Sequence, residues 1–295
     1  MPIFEPAPEP PVELPPARTV HVHGRGEFFL RDSGPPTRGE PTVMLLHGWI
    51  ATADLNWLSV YGDLIGAGYR VLAIDHRGHG RGLRPLVPFR LDDCAADAAG
   101  VLRTLGLAPA LVVGYSMGGA IAQLVARDHP DVVAGLVLSG TAQHWQEPEL
   151  RRTWRMMGAV GFGLAVAPGR VWRYGFKRVG LGPSPRAAWM RSEMLRHSAR
   201  GIAEAGQELG HFDSRPWLRP LPVPAAVVVT SRDDAVPPAK QLELATALRA
   251  PVFDAPISHL QITSRPDRYN PVLLEALAAV GAGVARPAGP VGFAA

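Results

Sequence analysis

The segment of this chain best suited to chemistry is Gly114-Tyr115-Ser116-Met117-Gly118-Gly119. It follows the apolar run LVVGY and opens the amphipathic stretch MGGAIAQLVARD. A serine on a sharp strand-to-helix turn is held in a strained backbone conformation, so the residues two positions away must be small. Gly114 and Gly118 meet that need. Such a turn lifts the Ser116 hydroxyl above a sheet. It also sets the Met117 N–H at a helix N-terminus, facing a developing oxyanion. The pattern is short, and its setting between an apolar strand and a helix is what gives it weight.

A serine hydroxyl needs a base to become a nucleophile. Ten histidines compete, at 21, 23, 47, 76, 79, 129, 144, 197, 211 and 259. The base must stand on a loop after a strand, which leaves His47, His76, His79, His144 and His259. His259 fits best, because it follows the apolar run PVFDAPIS and precedes the last helical pattern. His47 stands just upstream of a possible oxyanion donor, and His76 and His79 belong to the glycine-rich loop DHRGHGRG. A buried acid must hold the imidazole in one tautomer. TSRDDAVPP offers Asp233 and Asp234, one for the site and one for solvent or a helix cap.

Six apolar runs must position these groups: 43–48, 71–75, 111–116, 135–140, 225–231 and 251–258. They are continuous rather than alternating, as strands buried on both faces of a parallel sheet are. Helical patterns lie at 53–66, 91–105, 117–128, 239–248 and 266–284, and 19–32 reads as a leading hairpin. Strand–helix alternation predicts the α/β class, with a mostly parallel twisted sheet flanked by helices. The runs start 28, 40, 24, 90 and 26 residues apart. One strand–helix–strand unit takes about 30 residues, so the long interval holds an insertion, placed at 143–215. The core is then 19–142 with 216–285. Residues 1–18, with seven prolines, read as an extended arm, and 286–295 as a tail.

Composition sets outer bounds. The chain has 295 residues, 47% hydrophobic and 19% charged, enough for a substantial core. One cysteine, Cys94, excludes a disulfide framework and a cysteine-based metal site and reads as a small buried hydrophobe. Metal and cofactor are both expected to be none. No apolar run reaches the ~20 residues that cross a bilayer. The N-terminus has acid and proline where a signal peptide needs basic and then apolar residues, so a cytoplasmic location is expected. The net charge of +4 is uneven: residues 151–200 hold eleven Arg or Lys and one acid, Glu193. This basic segment suggests attraction to an anionic lipid surface or an acidic acyl carrier. No motif supports nucleic-acid binding. The uncharged run 156–169 reads as a pocket-facing helix in preference to a lipid-facing one.

The order Ser116…Asp233…His259 resembles that of the α/β-hydrolase fold family, over roughly residues 19–285. The matching pieces are HGW (47–49), DHRGHG (75–80), GYSMGG (114–119), the D-x-x-x-P of Asp233–Pro237, and SH (258–259). The resemblance implies a triad of Ser116, His259 and Asp233 rather than Asp234. It also implies oxyanion N–H groups from Trp49 and Met117, and a helical cap at 143–215. His47, Tyr115, His144 and Trp154 are the candidates for substrate contact. Two positions depart from the family pattern. Gly82 stands where the family usually has serine, and Ser258 where it usually has glycine before the histidine.

The expected activity is hydrolysis of a small-molecule carboxylic ester with a hydrophobic acyl or alcohol part. Acyl transfer, thioester cleavage, carbon–carbon hydrolysis and cofactor-free perhydrolysis could use the same groups. A non-catalytic binding protein on this fold is the alternative of another class. Oligomeric state is left open by the sequence.

Overall fold

The computed structural model describes residues 8–36, 40–178 and 182–283. The first seven residues of the expected arm and the whole expected tail lie outside the described residues.

Eight strands form one sheet: β1 (Ala17–Val22), β2 (Gly26–Asp32), β3 (Thr42–Leu46), β4 (Arg70–Ile74), β5 (Ala110–Tyr115), β6 (Val133–Ser139), β7 (Ala225–Thr230) and β8 (Val252–Ala255). Their order is β1-β2-β4-β3-β5-β6-β7-β8. β1 and β2 pair antiparallel and β2 meets β4 antiparallel; from β4 onward every pairing is parallel. The central strands are apolar throughout because both faces are covered. Met44 and Leu46 of β3 face one core cluster, while Val43 and Leu45 face the other, as strand periodicity requires. The first cluster is closed by α3 (Leu91–Thr104), α4 (Met117–Asp128) and α10 (Pro238–Leu248). The second is closed by α1 (Ala53–Trp57), α2 (Tyr61–Gly66) and α11 (Pro266–Ala282). Cys94 is fully buried on α3 in the first cluster.

Local differences from the sequence reading have identifiable causes. The helix expected over 53–66 is two helices, because the intervening Ser59 is captured from outside. Its hydroxyl donates to the Ile262 carbonyl at 3.2 Å and its carbonyl accepts from Asn270 Nδ2 at 2.5 Å. β8 stops at Ala255, where Pro256 removes a ladder donor. The arm joins the fold earlier than expected. Pro15 is buried, its carbonyl accepts from Arg31 Nη1 at 3.1 Å, and that of Pro16 accepts from Asp32 N at 3.0 Å.

Between β6 and β7, among the described residues, stand five helices: α5 (Pro148–Arg155), α6 (Met157–Val166), α7 (Pro168–Arg178), α8 (Pro185–Met194) and α9 (Ala199–His211). They rest on the loops that follow β3 and β4. Gly78, at φ 76°, packs backbone to backbone on Gly201 of α9, where a Cβ on Gly78 would lie 2.8 Å from the Gly201 Cα. Ser198 N donates to the Gly78 carbonyl at 2.9 Å and Gly80 N donates to His197 Nδ1 at 3.0 Å. Arg81 is the ionic rivet. Its guanidinium meets Asp54 at 2.8 Å, Asp75 at 3.2 Å and Glu193 of α8 at 2.9 Å. All three carboxylates are buried. Removing one partner of a buried charge set leaves uncompensated charge, which costs about 3–5 kcal/mol. Arg81→Met is therefore expected to destabilise the protein by about that amount, read as the shift in a denaturant unfolding midpoint. A change of only a few tenths would show that the three carboxylates do not rely on Arg81.

Candidate active site

Ser116 sits between β5 and α4 at φ 54° and ψ −118°, a region that non-glycine residues avoid. The surroundings over-determine this conformation. Ser116 N donates to the Ser139 carbonyl of β6 at 3.0 Å. The Ser116 carbonyl accepts from Gly119 N at 2.8 Å and from Thr141 Oγ1 at 2.8 Å. No side chain fits at the flanking glycines. A Cβ on Gly114 would lie 2.3 Å from the Gly118 oxygen, and one on Gly118 would lie 2.0 Å from the Leu46 oxygen. The half-buried Ser116 side chain is left at the head of the sheet.

His259 follows β8 on a short 3-10 turn, His259–Gln261. Ser258, the departure before the histidine, caps that turn in a reciprocal box with Gln261, whose Oε1 accepts from Ser258 N at 3.0 Å. From there His259 Nε2 stands 3.0 Å from Ser116 Oγ. Its Nδ1 stands 2.7 Å from Asp233 Oδ2. The Asp233 side chain is fully shielded from solvent and that of His259 nearly so. Thr230 Oγ1 donates to the same Asp233 oxygen at 2.6 Å, while Oδ1 accepts from the N–H groups of Ala235 at 2.9 Å and Val236 at 2.8 Å. Four donors thus converge on one carboxylate. With Asp233 held as an acceptor, Nδ1 carries the proton and Nε2 is free to accept from the serine. Asp234, the alternative acid, is exposed.

Next to Ser116 lies the turn Gly48–Ala51. His47 is fully buried beneath it, its Nδ1 2.8 Å from the Gly48 carbonyl and its Nε2 accepting from His76 N at 3.0 Å. Since Nε2 accepts, Nδ1 donates. The Gly48–Trp49 peptide is planar, so pinning its carbonyl toward His47 turns the Trp49 N–H the opposite way. A Cβ on Gly48 would lie 3.3 Å from Ser116 Cβ, which measures how close this peptide approaches the serine. Gly48 N donates to Asn56 Oδ1 at 2.9 Å. The next residue, Ile50, is a β-branched side chain at φ 60°. Trp49 Nε1 reaches the Ile202 carbonyl of α9 at 2.9 Å, so the inserted helices hold this turn from above.

Not every expected contact is met. His47 is not a substrate-contact residue, because it has no exposed surface and both ring nitrogens bind backbone. Nor is Tyr115: it is buried, and its hydroxyl donates to the His259 carbonyl at 2.6 Å. His144 stands at the root of the insertion, with Gln146 N 3.4 Å and Glu147 3.8 Å from its Nδ1. Trp154 does stand over the turn, its ring edge-on to Trp49 at 5.7 Å. Thr230 and Gln241 were not singled out by sequence. Gln241 Nε2 donates to Thr230 Oγ1 at 2.9 Å and to the Val236 carbonyl at 2.7 Å, closing the loop that carries Asp233. A buried polar pair flanking D-x-x-x-P was the available signal.

The family model described as alpha/beta hydrolase fold matches residues 41–165. A non-heme haloperoxidase of Rhodococcus erythropolis is 34% identical, covering 84% of this chain and 94% of that protein. The chain belongs to the α/β-hydrolase family. A non-heme chloroperoxidase of Streptomyces lividans is 30% identical over 87% of this chain and 98% of its own length. A solved thermophilic esterase from Thermogutta terrifontis superposes with TM-score 0.72 at 26% identity, covering 90% of this chain and 99% of that one.

In this α/β hydrolase the departure at Gly82 is steric. A Cβ there would lie 2.2 Å from the His76 carbonyl oxygen, so serine is shut out by the packing of the loop after β4. The same loop carries a buried histidine cluster. His47 lies 4.3 Å from His76 and 5.4 Å from His79, and His79 lies 5.5 Å from His197, between ring centroids. Burial pushes His47 down to about 4 and His79 down to about 3, and holds His76 and His197 well below the usual histidine range. These rings stay neutral in the fold, whereas an unfolded chain takes up protons near pH 6.5. Their contribution to stability is complete above that pH and is lost as pH falls toward 4. The melting temperature is therefore expected to drop over this interval. The drop should be smaller in His79→Asn, which keeps a donor for the Arg77 carbonyl. Equal slopes in the two proteins would contradict the assignment.

Proposed function

We propose that this hydrolase cleaves carboxylic esters through a Ser116–His259–Asp233 triad. The observation that carries the reading is the unbroken line from Ser116 Oγ to His259 Nε2 at 3.0 Å and from His259 Nδ1 to Asp233 at 2.7 Å. Ser116 Oγ attacks the acyl carbonyl carbon while its proton passes to His259 Nε2. The carbonyl oxygen becomes an oxyanion, met by the N–H groups of Trp49 and Met117. The intermediate collapses by breaking the bond to the alkoxy oxygen, which takes the proton from His259 and leaves as alcohol. Water, deprotonated by His259, then attacks the acyl-enzyme, and collapse returns the carboxylic acid and Ser116. Asp233 keeps the imidazole oriented and stabilises its cationic form.

The substrate class is read from what stands above the serine. Trp49 and Trp154 meet over the turn, and Met157 of α6 reaches the same place: a Cβ on Gly206 would touch both Met157 and Trp49. Such walls favour a hydrophobic acyl or alcohol group, and the five inserted helices act as its cap. The esterase among the solved neighbours supports this assignment. The likeness to a non-heme haloperoxidase over most of both chains favours a second reaction of the same acyl-enzyme. Hydrogen peroxide in place of water would release a peracid and regenerate Ser116.

Hydrolysis of p-nitrophenyl esters of graded acyl length tests the proposal. Ser116→Ala should lose about a millionfold in kcat with an unchanged melting temperature. Asp233→Asn should lose roughly a thousandfold to ten-thousandfold, and Asp234→Asn almost nothing. Full turnover in Ser116→Ala, or equal losses at the two aspartates, would overturn the assignment.

A further inference from the structure

The basic insertion has a second feature that ester cleavage does not use. α6, Met157–Val166, carries no charged residue. Its inner side, with Met157, Gly161 and Leu164, is buried, and it packs on α9. A helix that is apolar all round is normally covered on every side. Here the outer side is open. Phe162 is 71% exposed, Val166 68% and, just before the helix, Met156 52%. Their spacing sets them on one face, joined by the exposed Ala159.

Exposed cations stand on the helices before and after α6 in the chain. Arg152 and Arg155 precede α6, and Arg170, Arg173 and Lys177 follow it, all exposed. Among the described residues none of these five forms an ion pair with an acid, although twenty-one other pairs do form. No acid occurs in the sequence between Glu149 and Glu193. The single acid of the basic segment, Glu193, is buried against Arg81 and faces inward. The helix is about 15 Å long, so along the chain the two cation groups are separated by a short uncharged helix. No described helix is long and apolar enough to cross a membrane.

We propose that the outer face of α6 and its flanking cations form a docking surface for an anionic phospholipid bilayer. An uncharged helix face between arginines is the pattern that lies in the plane of a membrane interface. Its apolar side chains enter the acyl boundary and its cations meet the headgroups. Long arginine and lysine side chains can reach the phosphates while their stems lie along the apolar surface. Charge complementarity selects this occupant over a second copy of the chain. Two copies meeting through this face would oppose five exposed cations with five more. The outer location of α6 beyond α9 leaves the turn at Trp49 on the protein side of the surface.

Co-sedimentation of the purified full-length protein with vesicles tests the proposal. One set is phosphatidylcholine alone and the other is phosphatidylcholine with phosphatidylglycerol, each at low and high salt. The protein should pellet with the anionic vesicles at low salt, weaken at high salt, and stay in solution with phosphatidylcholine. Arg170→Gln with Arg173→Gln should weaken binding about fivefold for each residue. Phe162→Ser with Val166→Ser, at positions exposed in the fold, should weaken it about tenfold. Unchanged circular dichroism and melting temperature establish that each variant is folded. No pelleting with anionic vesicles overturns the proposal. So does pelleting that Phe162→Ser with Val166→Ser leaves untouched, since cations alone would then account for it. Self-association in sedimentation velocity that the same variant abolishes, or capture by an acidic acyl carrier protein without vesicle binding, overturns it in favour of a protein partner.

Discussion

One backbone conformation governs this molecule. Ser116 must sit at φ 54°, and a β-carbon-bearing residue pays for that only where the structure around it leaves no alternative. The sheet supplies that confinement. β5 is the central strand, flanked by β3 and β6, and each neighbour meets the elbow directly. The Leu46 oxygen of β3 closes on Gly118, and the Ser139 carbonyl of β6 takes the Ser116 N–H. Strain at the serine is therefore borne by the two strands that pair with β5. The same placement carries Ser116 to the carboxyl edge, where β7 and β8 deliver Asp233 and His259. The loops after β5, β7 and β8 open at the same edge because these strands run parallel, with β6 between the first two.

A second layer of constraint comes from above. The inserted helices are joined to the core by three kinds of contact on two loops: the Gly78–Gly201 backbone approach, the Arg81–Glu193 ion pair, and the Trp49–Ile202 hydrogen bond. Each reaches the loop after β3 or β4. The turn beside Ser116 is thus gripped from below by His47 and Asn56 and from above by α9. Neutral histidines suit this position. A charged ring packed against its neighbours in an apolar interior would repel them and lose hydration, and burial keeps all four uncharged.

Much of this was legible in sequence where the signal is local. Apolar runs buried on both faces, glycines at fixed distances from Ser116, and a histidine between the last strand and the last helix are all short-range patterns. What long-range contact decides was not legible. Spacing alone leaves Asp233 and Asp234 open, and the D-x-x-x-P resemblance points to Asp233; what the sequence does not show is the contact 26 residues away, where Asp233 Oδ2 meets His259 Nδ1 at 2.7 Å. Tyr115 reads as a neighbour of the nucleophile, yet its side chain alternates to the far face and supports His259 from beneath. His47 reads as a site residue because it adjoins the turn, but it works as a pin under a peptide. The uncharged run 156–169 reads as a pocket-facing helix. Its inner side is buried on α9 and its outer side is bare, a division that an uncharged sequence cannot reveal.

Catalysis at this site requires that Ser116 be activated by the groups aligned with it. Treating the native protein with a fluorophosphonate, digesting it and locating the adduct by mass spectrometry tests this most directly. One phosphonyl group on the peptide containing Ser116, absent when His259 is replaced by alanine, is the expected result. An intact protein that takes up no label, or carries it on another residue, would contradict the central claim.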